Sequence, residues 1–245
     1  MSSERAQTML WWCGVVLICA FAVERASHLE WAAVAPSWLF LLTALGRSWL
    51  LAVVAIGVGI VVAFPLAVLR VYGPAGVRHV AVTLIEAVRA TPELMVIFWV
   101  YFTLPYLIGT QVSAWNAALG SLSVIAAAYL AEVIRAGLYS VPVGQIEAAR
   151  SSGLNAYQVF RFIVLPQALR NMLPALIAQL VALFKTTSLV YAIGVMDFFR
   201  AVNVTKNAVF APYALYLILG AGYFVSCFAI TRVVRWFDPR YQLLE

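Results

Sequence analysis

The sequence predicts an all-α integral membrane protein of about six transmembrane helices, and three observations carry that prediction. The chain of 245 residues is 64% hydrophobic and 11% charged, whereas soluble domains run near ~25% charged. Its apolar residues gather into runs close to the ~20 that a helix needs to cross a bilayer. Its arginines sit mostly at the ends of those runs, as segments that flank membrane spans do. A water-soluble core of this size would not hide so much apolar surface, so lipid must cover part of it.

The first span is Thr8 to Val23, slightly short, led by Trp11 and Trp12 and followed by Glu24, Arg25, His28 and Glu30. A cleaved signal peptide competes, through the small-residue pattern Ala20-Phe21-Ala22. The segment before it carries only Arg5 offset by Glu4, and a retained helix is the expectation. Trp31 to Ala44 is apolar but broken by Pro36, and reads as an interfacial segment leading into a second span from Gly46 to about Leu69. Gly57 and Gly59 allow close helix approach there, and Pro65 is placed to bend it. Gly73-Pro74 marks a turn.

The third span runs from about Val80 to Leu107 and carries Glu86, Arg89 and Glu93 around Thr91-Pro92. The fourth covers about Ala117 to Leu138, with Glu132 and Arg135 near its end. Residues 139–170 form the polar stretch of the chain. A fifth span starts near Asn171 and ends near Phe184, a mixed segment follows from Lys185 to Ala201, and the last span covers about Pro212 to Val234.

Placing the N-terminus in the cytoplasm puts Arg5, Arg70, Arg78, Arg135, Arg150, Arg161, Arg170, Arg232, Arg235 and Arg240 inside. Arg25, Arg47, Arg200 and Lys206 then lie outside. That distribution obeys the positive-inside rule and puts both termini in the cytoplasm. It also accounts for the net charge of +6. No basic cluster interleaved with aromatics is present, so nucleic acid is not an expected partner. Cys13, Cys19 and Cys227 lie in apolar runs without metal-ligand spacing, and His28 and His79 are isolated. No metal site and no catalytic set of residues is expected.

The polar stretch has an internal logic. Pro142 suits a helix start. Gly153 suits its C-terminal cap, with Leu154 as the hydrophobic contact. Asn155 can cap a second helix with Gln158 as its box partner, and Pro166 is expected near that helix's end. The product is a helix, a glycine turn and a helix on the cytoplasmic face. It displays Ala148 and Ala149 beside Glu147, a knob that suits docking into a groove on another protein; an ordinary cytoplasmic loop is the alternative.

The spacing Glu147-Ala148-Ala149, three residues, Gly153, nine residues, Ile163-x-Leu165-Pro166 resembles the EAA loop of ABC-importer permease subunits. Tyr129-Leu-Ala-Glu132-Val-Ile-Arg135-Ala-Gly137, Arg89-Ala-Thr-Pro92 and Leu165-Pro-Gln-Ala168 are similar to its polar amino-acid subfamily. Lys185-Thr-Thr-Ser188-Leu is similar to that subfamily's Lys-Asp-Thr-Ser-Leu, with Thr186 in place of Asp. Ala90 stands where Gly or Ser is usual, and Gly46-Arg-Ser-Trp-Leu replaces the usual Gly-x3-Thr-Leu.

The resemblance covers about residues 38 to 240. It implies a type I importer fold, with a five-helix core in residues 29–245 and an extra N-terminal helix in residues 1–28. The loop 139–170 then contacts an ATPase dimer through Glu147, Ala148, Ala149, Gly153, Ile163, Leu165 and Pro166. The chain itself has no nucleotide-binding Gly-x4-Gly-Lys-Ser/Thr run, so it needs no cofactor, and ATP and magnesium belong to the partner ATPase. A second permease subunit (a copy or a homologue), a periplasmic binding protein and an amino-acid substrate complete the implied machine in a bacterial inner membrane.

Charged residues at membrane depth usually line a polar pathway. Arg89, Thr91, Pro92, Glu93, Lys185, Thr186, Thr187, Ser188, Asp197 and Arg200 are the candidates, because a cationic fork or hydroxyl set suits a carboxylate substrate. An ion pair between Arg89 and Glu86 or Glu93 is the structural alternative, and the hydroxyls are equally able to cap a broken helix. Ser188-Leu-Val-Tyr191 and Asp197-Phe-Phe-Arg200 look like permeases that handle glutamate and aspartate. An ion-coupled secondary transporter or channel, with Glu86, Arg89 and Glu93 as a relay, is the rival, but it leaves the loop motif unexplained.

Overall fold

A computed structural model of the chain describes Trp11, Trp12, Gly14, Glu24, Arg25 and residues 27–237. Most of the expected first span, Thr8 to Val23, lies outside the described residues. Among the described residues the fold is entirely helical. Its elements are α1 (Trp31–Tyr72), α2 (Ala75–Ala90), α3 (Glu93–Ile108), α4 (Ala114–Tyr139), α5 (Val143–Ser151), α6 (Ala156–Ile193), α7 (Phe198–Val209) and α8 (Pro212–Phe237). Four of these, α1, α4, α6 and α8, are long and apolar enough to cross a membrane, and α3 is a shorter apolar helix.

Helix α4 is the centre of the bundle. It buries residues on most of its circumference, including Ala118, Leu122, Ile125, Ala126, Leu130 and Ile134. Helix α1 meets it with a stripe of small residues, Ala55, Gly59, Ala63 and Ala67, at helical spacing, while Ala52 packs with Phe184 and Ile230. Small side chains let the two backbones approach closely, which is how helices pack in lipid without a hydrophobic driving force. At Gly59 the approach is so close that a Cβ would stand 2.6 Å from the Cβ of Ala126. The opposite face of α1 exposes Leu50, Val53, Val58 and Val61, as a lipid-facing surface does.

Three expectations about the spans are revised. The segment Trp31 to Ala44 is not a separate interfacial piece. Pro36 falls in a single 3-10 turn at Ala35–Ser37, near the helix start where a missing N–H costs little, and the helix continues as α1. The third span is not one helix but two. Thr91 and Pro92 are extended, with ψ of 136° and 132°, and separate α2 from α3. The residue before a proline avoids the α region, and Pro92 has no N–H to continue the ladder.

The fifth span is far longer than Asn171 to Phe184. It belongs to α6, which runs unbroken from the polar stretch, and Pro166 lies inside that helix rather than near its end. A π-helical segment at Val159–Val164 just precedes Pro166. The wider turn changes which carbonyls need donors at the place where the proline supplies none. Helix α3 shows the same arrangement, with a π segment at Trp99–Thr103 just before Pro105.

The mixed segment resolves into a 3-10 continuation of α6 at Thr187–Ile193, a left-handed turn at Gly194 and the capped start of α7. Helix α7 packs against α1 and α8. Phe198, buried on α7, lies 2.5 Å from where a Cβ of Gly222 on α8 would stand.

Candidate functional site

The polar stretch forms the helix–turn–helix that its residues foretell. Pro142 precedes α5, and Gly153 takes the left-handed conformation at φ 85°. Its N–H reaches the carbonyl of Arg150 at 2.9 Å, and that of Leu154 reaches the carbonyl of Ala149 at 3.3 Å. These two bonds are a Schellman cap. Asn155 and Gln158 exchange side-chain-to-backbone bonds of 3.0 and 2.9 Å, the reciprocal box that starts α6.

The loop residues divide into two sets. Glu147, Ala148 and Gly153 face outward. Ala149 is buried, and Ile163, Leu165 and Pro166 are half-buried where α6 leaves the loop. Ile146, Leu154, Phe160 and Ile163 pack against the main core and hold the knob in place. A cavity of about 470 Å³ lies between α1, α5 and the π segment of α6, lined by Phe64, Tyr72, Arg150 and Tyr157 among others. The knob therefore stands off the bundle, and three of its seven motif residues are free to touch a partner.

The ten candidate pathway residues do not form one cluster. Arg89 makes the ion pair with Glu86 that was the structural alternative, within a wider network that the sequence did not reveal. Its guanidinium lies 3.3 Å from Glu86 and 3.7 Å from Glu132, over the ring of Tyr129. Arg70 at the end of α1 reaches the same two carboxylates at 3.4 and 2.9 Å. Arg135 closes on Glu132 with Nε at 3.0 Å. Three arginines thus share two carboxylates across α1, α2 and α4. The clue in the sequence was that the acidic residues Glu86 and Glu132 sit near helix ends otherwise marked by arginine.

Glu93 stands apart from this network. Its Oε2 accepts a 2.8 Å hydrogen bond from the hydroxyl of Thr186, joining α3 to α6. Thr186 Oγ1 also lies 3.1 Å from the carbonyl of Ala182. Lys185 and Pro92 beside them are exposed, and Ser188 is half-buried. Thr91 and Thr187 turn back on their own helices, donating to the carbonyls of Ala87 and Phe184 at 2.8 and 2.7 Å.

Asp197 is fully buried and caps α7, accepting from the N–H groups of Phe199 and Arg200 at 3.1 and 2.9 Å. The Arg200 guanidinium reaches the carbonyl of Tyr191 at 3.3 Å. Among the described residues no ion pair joins the Asp197 and Arg200 side chains. Two more polar ties brace this end of the bundle. Ser48 Oγ accepts from the N–H of Phe198 at 3.0 Å, and Trp49 donates to Ser226 at 3.1 Å.

A bundle with four helices long and apolar enough to cross a membrane has the architecture of a multi-pass membrane protein. The sequence matches the family described as the binding-protein-dependent transport system inner membrane component over residues 55–243, and the chain belongs to that family. It is a transport permease subunit rather than an enzyme.

The relatives share that character. The glutamate/aspartate import permease protein GltK of Escherichia coli O6:H1 is 33% identical over 218 residues, covering 86% of this chain and 97% of that protein. The octopine transport system permease protein OccM of Rhizobium meliloti is 36% identical over 205 residues, covering 80% and 84%. The crystal structure of an amino acid ABC transporter with histidines superposes with a TM-score of 0.81 at 27% identity, over 86% of this chain and 99% of that one. A structure of the MetNI methionine ABC transporter shares the fold, with a TM-score of 0.67 at 22% identity over 82% of this chain and 97% of that one.

Proposed function

We propose that the chain forms half of the translocation pathway of an ATP-driven importer for polar amino acids. In this reading α5 and the start of α6 are the contact with a separate ATPase dimer. The observation that carries it is the knob itself: Glu147 and Ala148 exposed on a short helix whose end is fixed by the Gly153 turn. Both termini face the cytoplasm with it, following the arginine distribution.

A loaded periplasmic binding protein docks on the far face, and a second permease subunit, a copy or a homologue, completes the pathway. ATP-driven closure of the ATPase dimer pulls the two knobs and opens the pathway outward. Hydrolysis resets it and releases substrate inward. The pathway candidates are Arg89, Thr91, Pro92, Glu93, Lys185, Thr186, Thr187, Ser188, Asp197 and Arg200. Relatives named for glutamate, aspartate and octopine support a polar amino-acid substrate, and Arg200 favours an acidic side chain within that class.

The test is ATP hydrolysis and amino-acid uptake by the reconstituted complex with its binding protein, comparing wild type with Ala148→Arg. The Ala148 side chain is exposed, so the larger residue leaves the chain's own packing intact and blocks docking. Loss of both activities in the variant supports the reading. Full coupling in the variant, or uptake without ATP, refutes it.

A further inference from the structure

We infer that Glu93, steadied by Thr186, is the subsite for the ammonium group of the transported amino acid. The inference rests on the amino-acid importer reading and names the substrate group that one residue takes. It starts from a contrast among the acidic residues of the bundle. Glu86 lies within 3.4 Å of both Arg70 and Arg89. Glu132 is shared by Arg70, Arg89 and Arg135. Glu93 is half-buried between α3 and α6, and among the described residues no cation lies within ion-pairing distance of it.

A carboxylate held partly out of water without a counter-charge is costly, and in membrane proteins such residues mark ligand or ion pathways. Among the described residues its side-chain partner is the Thr186 hydroxyl, which holds Oε2 at 2.8 Å. A hydroxyl donor fixes the direction of the carboxylate without neutralising it. The acceptor capacity that remains suits a group with several N–H donors and a positive charge. The break at Thr91-Pro92 brings the carboxylate to the first position of α3, next to the exposed Pro92. A zwitterionic amino acid has such a group in its α-ammonium, whatever its side chain.

Position 186 adds a second observation. The motif that this segment resembles carries Asp where this chain has Thr186. Here the carboxylate sits on the facing helix and the hydroxyl lies against it. The negative charge stands instead on the facing helix, across an interhelical contact of 2.8 Å.

The experiment measures binding of radiolabelled glutamate, glutamine and arginine to the permease–ATPase complex without binding protein, beside ATP-driven uptake with it. Glu93→Gln keeps an acceptor for Thr186 and removes the charge. It is expected to weaken binding about tenfold or more, the worth of a charge-assisted hydrogen bond. Adding Thr186→Asp to Glu93→Gln returns the carboxylate from the other helix and is expected to recover most of that loss. The α-keto acid analogues, which lack the ammonium group, are expected not to compete with the labelled amino acid on wild type. Unchanged binding in Glu93→Gln, a loss that Thr186→Asp does not repair, or competition by the keto acids overturns the assignment and leaves the importer reading standing. Wild type that neither binds nor takes up any of the three takes down the importer reading and this assignment with it.

Discussion

Gly153 offers a separable test of the knob. Its φ of 85° is the left-handed conformation, and a Cβ built there meets nothing within 4 Å. A substitution therefore acts through backbone preference alone, with no steric clash to confuse it. An L-residue in that region costs about 1–2 kcal/mol, while Asn tolerates it better. That cost lowers the ratio of formed to unravelled turn by roughly five- to thirty-fold. The turn holds two hydrogen bonds, Gly153 to Arg150 and Leu154 to Ala149, and both open together when it unravels.

Trypsin reads this directly, because Arg150 is exposed beside the turn. Gly153→Val is expected to speed cleavage at Arg150 by about that factor, and to lower binding-protein-stimulated ATP hydrolysis by the smaller fraction of turns that no longer form. Gly153→Asn should stay close to wild type in both assays. Equal losses for Val and Asn would refute the argument, since the residue would then act by contact with a partner. So would a Val variant that is cleaved and coupled like wild type.

Two further expectations concern the bundle. Glu132→Gln leaves Arg70, Arg89 and Arg135 without their shared carboxylate and should destabilise by about 1–3 kcal/mol. Thermal melting in detergent should fall more than for Glu86→Gln, because Glu86 is 49% exposed against 23% for Glu132; equal falls would deny the network its centre. Ser48→Ala strands the buried N–H of Phe198 and should cost about 1–3 kcal/mol. An unchanged melting temperature would show that another acceptor takes over.

The spans α4 and α8 were legible to within a few residues, because each is a long apolar run bounded by polar residues. The knob was legible in more detail. Proline, glycine and the Asn155–Gln158 pair act through their own backbone geometry, and local chemistry does not wait on tertiary context. The continuity of α6 was not legible. Proline in a helix normally reads as a stop, and only the π segment at Val159–Val164 shows why Pro166 is not one. The grouping of charged residues also escaped the sequence. Arg89 could equally have paired with Glu86 or Glu93, and Arg70 and Glu132 are distant in the chain. Asp197 showed the same limit: its role as the cap of α7 was not legible from its charge.

Helix α6 spans 38 residues, starting at the Asn155 box and passing Thr186 in its last turns. One rigid rod thus has an end in the knob and another against Glu93. From Leu165 to Thr186 the rise is about 32 Å, so a tilt of ~10° about the π segment would carry the Thr186 hydroxyl by roughly 5 Å. The bond to Glu93 would not survive that displacement, since a hydrogen bond weakens steeply beyond about 3.2 Å. A pull on the loop and the grip on a ligand are then two readings of a single lever, with the π segment as its fulcrum.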